Sequence, residues 1–172
     1  MDPIRLRFEV MRELYQSQRD RREQIRGSVA TPVSALAFTV FNLSTLATQL
    51  NVESWAYPVN FIITLLFFLS VVLLLSGAAF IIGLERGVIY VDPPDLRELV
   101  EVEKRLREQG NNDNEAIADQ MQDMLSGSYD VAYRWYFAAN EQAARDRTQG
   151  LHLILFSLGL IVVAFALLPF QQ

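Results

Sequence analysis

The stretch FIITLLFFLSVVLLLSGAAFIIGL, residues 61–84, runs for 24 positions without a charged side chain. A helix needs only about 20 such residues to cross the hydrocarbon core of a bilayer, so length and composition together predict a membrane span here. A second block, residues 151–168, holds His152 as its one ionisable group and passes the same length test. The first block, residues 31–50, is interrupted by Thr31, Ser34, Thr39, Asn42, Ser44, Thr45, Thr48 and Gln49, and stands as a span because it has no charge. The apolar half of this 172-residue chain therefore sits in blocks rather than spread as in a soluble domain.

Basic residues next to spans are retained on the cytoplasmic side, which sets the orientation. Seven arginines precede the first block, and the other eight Lys and Arg lie between Arg86 and Arg147. The turn at 51–58 and the tail at 169–172 have none. Three spans with the N-terminus inside and the C-terminus outside put every basic residue on one side; two spans do not. The expected protein is all-α and integral to the membrane, with three transmembrane helices and a cytoplasmic helical region, in the cell inner membrane. Its net charge of -5 comes mostly from acids of the large loop, read first as a solvated helical surface. No cysteine is present, which excludes disulfide and thiolate chemistry. With no short basic leader before an early apolar stretch, the first span itself is expected to direct insertion.

Along the chain, residues 1–29 read as an amphipathic cytoplasmic helix with Ile4, Phe8, Met11 and Tyr15 at helical spacing. Lipid binding and packing on other cytoplasmic helices are both open, with Asp20 and Glu23 diluting the basic run in favour of packing. The first span, 30–50, starts after Gly27 with Pro32 in its first turn. The external turn 51–58 carries Trp55 and Tyr57 at interface depth, and the second span covers 59–84. In the cytoplasmic region 85–128, Asp92-Pro93-Pro94-Asp95 stops one segment and starts a helix, with Leu96, Leu99, Val100 and Leu106 on one face. Gly110 and the cluster Asn111-Asn112-Asp113-Asn114 separate it from a helix to Leu125, striped by Ile117, Met121, Met124 and Leu125. Ser126-Gly127-Ser128 is expected to be the last break. From 129 a cytoplasmic stalk runs unbroken to 150 and into the third span, 151–168. Tyr133, Trp135, Tyr136 and Phe137 on that stalk predict cover from other helices.

The sequence offers no catalytic constellation, no glycine-rich phosphate loop and no metal-ligand spacing, so neither an enzyme nor a cofactor is expected. His152 reads as an interfacial hydrogen-bonding group. Asn42-Leu43-Ser44 matches a glycosylation pattern but lies inside a span. Drawn at 100° per residue, the first span gathers Thr31, Ser34, Asn42, Thr45 and Gln49 with Phe38 on one arc, opposite Val33, Leu36, Val40, Leu43, Ala47 and Leu50. Polar groups are costly in hydrocarbon and call for protein or water. A ring of copies would let the arc line a pore with Phe38 as a dewetting constriction; hydrogen bonding between helices is the plainer alternative. Small residues Ser76, Ala79 and Gly83, and Gly150, Ser157 and Ala164, form seams for close helix contact, which predicts homo-oligomerisation.

The Arg-rich leading helix, the weakly hydrophobic first span with its tight hairpin, and the run YRWYFAANEQAARDR at 133–147 resemble small bacterial anti-phage membrane effectors of the SLATT type and the Hailong membrane component. The resemblance covers the architecture of most of the chain and implies a pore-forming effector held inactive until infection, usually beside a nucleotide-signal enzyme. No functional residue is transferred from it. The expectation is a homo-oligomeric channel opened by a cytoplasmic partner protein or nucleotide-type signal at Tyr133, Tyr136, Arg145 and Arg147, with Arg134 instead paired to Asp130 and no sequence-specific nucleic-acid binding. A membrane-anchored adaptor without conduction is the alternative.

Overall fold

A computed structural model describes residues 3–50, 57–86, 90–108 and 113–171, with backbone alone for 84–86. The expected Trp55 anchor and the breaks at Gly110, Asn111 and Asn112 lie outside them. The elements are α1 (Pro3–Gly27), α2 (Ala30–Ala47), α3 (Pro58–Arg86), α4 (Leu96–Glu108) and α5 (Asn114–Leu167), followed by a 3-10 turn, Leu168–Phe170. No strand occurs among the described residues. Three helical stretches are long and apolar enough to cross a membrane: Pro3–Ala47, in which α2 supplies the apolar part, Pro58–Gly83 and Asn114–Phe170. The chain divides into two compact units, Met1–Arg26 with Ile89–Gln142 and Gly27–Val88 with Ala143–Gln172.

The second unit holds α2, α3 and the end of α5. Pro58 opens α3, where a missing N–H costs nothing, and the Phe61 amide donates to the Tyr57 carbonyl at 3.1 Å. Asn60, Ile63, Ser70, Leu74, Gly77 and Ile81 are buried on α3, and Gly150, Ile154, Ser157, Ile161 and Ala164 on α5. Both sets recur in steps that sum to seven, the pattern of a two-helix seam. Gly77 and Gly150 mark the close approach: a Cβ on Gly77 would lie 2.9 Å from the Gly150 carbonyl oxygen, and one on Gly150 3.0 Å from that of Gly77. One seven-residue step away, Ser157 Oγ donates to the Ser70 carbonyl at 2.8 Å.

Within the chain the seam on α3 is thus Ile63, Ser70 and Gly77, and the expected Ser76, Ala79 and Gly83 lie on another face. Ala79 and Gly83 are exposed, and Ser76 Oγ bonds back to the Val72 carbonyl at 2.8 Å. Only the Gly77 face sets a bare backbone opposite Gly150. The third-span seam of Gly150, Ser157 and Ala164 is used within the chain. α2 adds Thr39, Leu43 and Leu46 to this core, and Pro32 is buried in its first turn.

The first unit packs α1 on the first part of α5. Ile4, Phe8 and Met11 are partly covered and Tyr15 is buried, so the expected stripe faces protein. The Phe8 and Tyr15 rings lie 5.8 and 5.5 Å from that of Tyr129. Asp95 starts α4 by accepting from the amides of Arg97 and Glu98, each at 2.9 Å, and Asp113 starts α5 by accepting from Glu115 at 3.0 Å. On α4, Leu99, Val102 and Leu106 share the covered arc while Leu96 and Val100, about 60–100° further round, are exposed.

Two expectations for the last long helix need correction. Ser126-Gly127-Ser128 does not break it, and α5 is a single helix of 54 residues. Ser126 is buried, Ser128 Oγ donates to the Met124 carbonyl at 3.0 Å, and an interior glycine costs a helix only about 1 kcal/mol. The aromatic run is not covered as a block. At 100° per residue it wraps around the helix, so Tyr136 falls among buried Ala132, Ala139 and Asn140, while Trp135 and Phe137 are exposed. Tyr133 is half-buried with its ring 6.0 Å from that of Phe137.

Candidate functional site

Two candidate sites stand out, one in each unit. In the second unit, α2 has three arcs. Thr39, Leu43 and Leu46 are buried; Thr31, Ser34, Phe38 and Thr45 are exposed, with Asn42 half-buried; on the remaining exposed side Val33 and Val40 lie opposite the polar arc, with Ser44, Ala37 and Phe41 between. The polar arc therefore faces away from this chain's own core. Gln49 lies beyond the Thr48 C-cap, in a turn where its backbone N–H donates to the Leu46 carbonyl at 3.0 Å. Several polar groups are satisfied locally. Thr39 Oγ1 donates to the Ala35 carbonyl at 2.7 Å, Asn42 Nδ2 to Phe38 at 2.8 Å and Thr45 Oγ1 to Phe41 at 3.1 Å. Such back-bonding lowers the cost of these groups in hydrocarbon, but a primary amide has two donors and a carbonyl to satisfy.

In the first unit, α1, the segment from Tyr90 to Asp95 and α5 meet around Asp92. Its Oδ1 accepts from the Tyr136 hydroxyl at 2.7 Å and the Tyr15 hydroxyl at 3.0 Å. Arg22 Nη1 donates to Tyr136 Oη at 3.3 Å, and its guanidinium carbon lies 3.5 Å from the centre of the Tyr90 ring. That ring is in turn 4.6 Å from Tyr136, and Tyr15 meets Tyr136 edge to face at 5.3 Å. Arg22 Nε is sealed from solvent and makes no hydrogen bond; an unmet buried donor costs about 1–3 kcal/mol, more on a charged group.

These contacts set the ionisation of the cluster. The hydrogen bond from Tyr136 holds the Asp92 carboxyl below the usual aspartate range against the opposing effect of burial, helped by Tyr15 and the nearby Arg19 and Arg22 charges. Burial, then the bond to Asp92, pushes the Tyr15 and Tyr136 phenols up. Both stay protonated donors across the physiological range. A cavity of about 500 Å³ opens on the cluster, lined by Tyr15, Arg19, Arg22, Arg26, Asp92 and Tyr136 among others.

No protein family, curated protein or solved structure matches this chain. What its sites can do rests on their own chemistry. Among the described residues no group of three His, Asp or Glu side chains is placed to hold a metal ion.

The expected trigger residues are divided between the two units. Tyr136 is at the centre of the Asp92 cluster and Tyr133 is on the same helix, but Arg145 and Arg147 belong to the other unit, where Arg147 Nη1 donates to Ser28 Oγ. Arg134 makes the expected pair, with Asp130 at 2.9 Å. Sequence reading missed Asp92, Tyr90, Arg19, Arg22 and Arg26 as a set. One signal was available: the Ile4-Phe8-Met11-Tyr15 stripe continues on the same face into Gln18 and Arg22, polar residues where more core would be expected. The Gln18 side chain is used there, since Asn140 Nδ2 donates to its Oε1 at 3.3 Å as well as to its backbone carbonyl at 2.7 Å.

Proposed function

We propose that this chain is a homo-oligomeric membrane channel, with its N-terminus in the cytoplasm and its C-terminus outside, in which α2 from each copy lines the pore. The observation that carries the reading is the arrangement of arcs on α2. Its polar arc and its exposed apolar arc lie on opposite sides, with the arc that packs on the rest of the chain between them. A helix in a ring needs that order, with water on one side, lipid on the other and protein between. Phe38 sits within the polar arc and is exposed, a placement suited to a hydrophobic constriction that closes by dewetting. Eighteen residues give α2 a length of about 27 Å, close to the hydrocarbon thickness. The physiological setting proposed is the one the architectural resemblance implies, depolarisation of an infected bacterial cell.

The test is conductance of the purified chain in planar bilayers. Replacing Phe38 by Ala should raise the open fraction several-fold, and Asn42→Leu should lower the conductance. Absence of current in the wild-type chain, or current that both substitutions leave unchanged, removes the proposal. A second reading, an adaptor whose spans only locate its cytoplasmic helices, draws support from the back-bonded Thr39, Asn42 and Thr45. It requires activity to survive exchange of all three spans for unrelated ones.

A further inference from the structure

We infer that the cavity between α1, the 90–95 segment and the first part of α5 is a binding site for a small phosphate-bearing anion. The site stands independently of conduction, because its chemistry lies wholly in the first unit.

Three observations converge on it. Arg19, Arg22 and Arg26 recur at steps of three and four, so one face of α1 presents three guanidinium groups to the cavity. No ion pair among the described residues takes any of the three, although six pairs form elsewhere. The acidic side chains on the wall are Glu23 and Asp92, so the lining carries three positive charges against two negative and keeps a net cation. Guanidinium groups are suited to phosphate because their planar forks donate two parallel bonds.

The second observation is that an anionic oxygen is already held there. Asp92 Oδ1 accepts hydrogen bonds from two phenols, and the oxygen of one of them, Tyr136, accepts from Arg22. The two hydroxyls thus converge on one point, and the group that fills it comes from a non-helical segment whose residue, Asp92, is itself exposed. Asp92 acts as an internal stand-in, and an incoming phosphate competes with it for the same hydroxyls. Third, the Tyr90 ring and the Tyr136 hydroxyl hold the Arg22 guanidinium in place at the cavity wall. The side chain is therefore oriented before any ligand arrives. The volume of about 500 Å³ lies within the range of small-molecule sites.

The phosphate can belong to a soluble compound or to a lipid headgroup, and the experiment separates them. The full chain in uncharged detergent is titrated by calorimetry with pyrophosphate and, separately, with short-chain phosphatidylglycerol. Arg19→Ala and Arg26→Ala, which remove no hydrogen bond of the tyrosine network, should each weaken binding about tenfold, the size expected for losing one charge-assisted hydrogen bond. Asp92→Asn should strengthen it several-fold by removing the competitor, an effect that a purely structural role for Asp92 would not produce. Arg7→Ala, whose partner is Asp123, should change nothing. Pyrophosphate binding with this pattern identifies a soluble ligand; the same pattern with phosphatidylglycerol alone identifies a lipid. Binding of neither probe at millimolar concentration, binding indifferent to both arginine substitutions, or weaker binding by Asp92→Asn overturns the inference. Because no current is measured, a chain that binds without conducting keeps this site and loses the channel.

Discussion

Asp92 does at the scale of one side chain what no single helix does: its carboxylate joins α1 through Tyr15 and α5 through Tyr136, from a segment that is neither. A hydrogen bond to a charged group contributes about 1.5–3 kcal/mol when buried, and the exposure of Asp92 reduces that toward about 1 kcal/mol. Asp92→Asn should therefore lower the thermal stability of the first unit by that order, measured by circular dichroism in detergent. Its pH dependence has a definite sign. A carboxyl held low when folded contributes stability above its unfolded value of about 3.9 and loses it as pH falls through the folded value. Phenols held high contribute in full below about 10 and lose it as pH climbs through their folded values. The stability difference between wild type and Asp92→Asn should be flat between about pH 5 and 9 and shrink as pH falls below the unfolded aspartate value of about 3.9 and on through the lower folded value. A difference that stays constant however far the pH is lowered would show that the substitution acts through packing and not through the carboxylate. None of this was legible in sequence, where Asp92 reads as the stop before two prolines; the two phenols that give it meaning lie 77 and 44 residues away.

Whole helices raise a different question, since glycine is used in opposite ways along α3 and α5. At Gly77 an added methyl would press on the Gly150 carbonyl and on Ile154 Cγ1, both at 2.9 Å, and backbone cannot yield as a side chain tip does. Gly77→Ala should destabilise by about 1–3 kcal/mol in denaturant-detergent unfolding, outweighing the gain of about 1 kcal/mol from helix propensity. Gly83 and Gly127 have open space where the Cβ would go. Alanine there should be neutral or stabilising by up to about 1 kcal/mol, and a stable Gly127→Ala variant would bear out the unbroken α5. Loss of stability in Gly127→Ala would mean that the helix bends there after all. The existence of the apolar helices was legible because a run of 24 uncharged residues has few other readings. Which face of each meets which was not. Ser76-Ala79-Gly83 and Ile63-Ser70-Gly77 both carry small residues, and only the partner helix distinguishes them. The supposed break at 126–128 misled for a related reason: serine and glycine disfavour helix locally, while the packing that overrides them is tertiary.

For the molecule as a whole, what matters is what surrounds α2 when many copies share a bilayer. The arc containing Phe38 and Asn42 was legible from sequence because composition at helical spacing survives any ambiguity about partners, and the structure adds that it turns away from the chain's own core. Composition cannot distinguish a wet face from one that packs dry on a neighbour. The chain has no native cysteine, so single cysteines introduced along α2 report their own surroundings without further changes. Thiols react through the thiolate, which forms readily in water and is suppressed in apolar surroundings. In proteoliposomes, Asn42→Cys and Thr45→Cys should react with a charged, membrane-impermeant thiol reagent at least roughly tenfold faster than Val40→Cys on the opposite, apolar arc. Phe38→Cys should gain reactivity only under conditions that open the channel, if the constriction is dry when closed. Equal and slow reaction at positions 40, 42 and 45 under every condition would mean that the polar arc meets protein or lipid, and the adaptor reading would then account better for this helix.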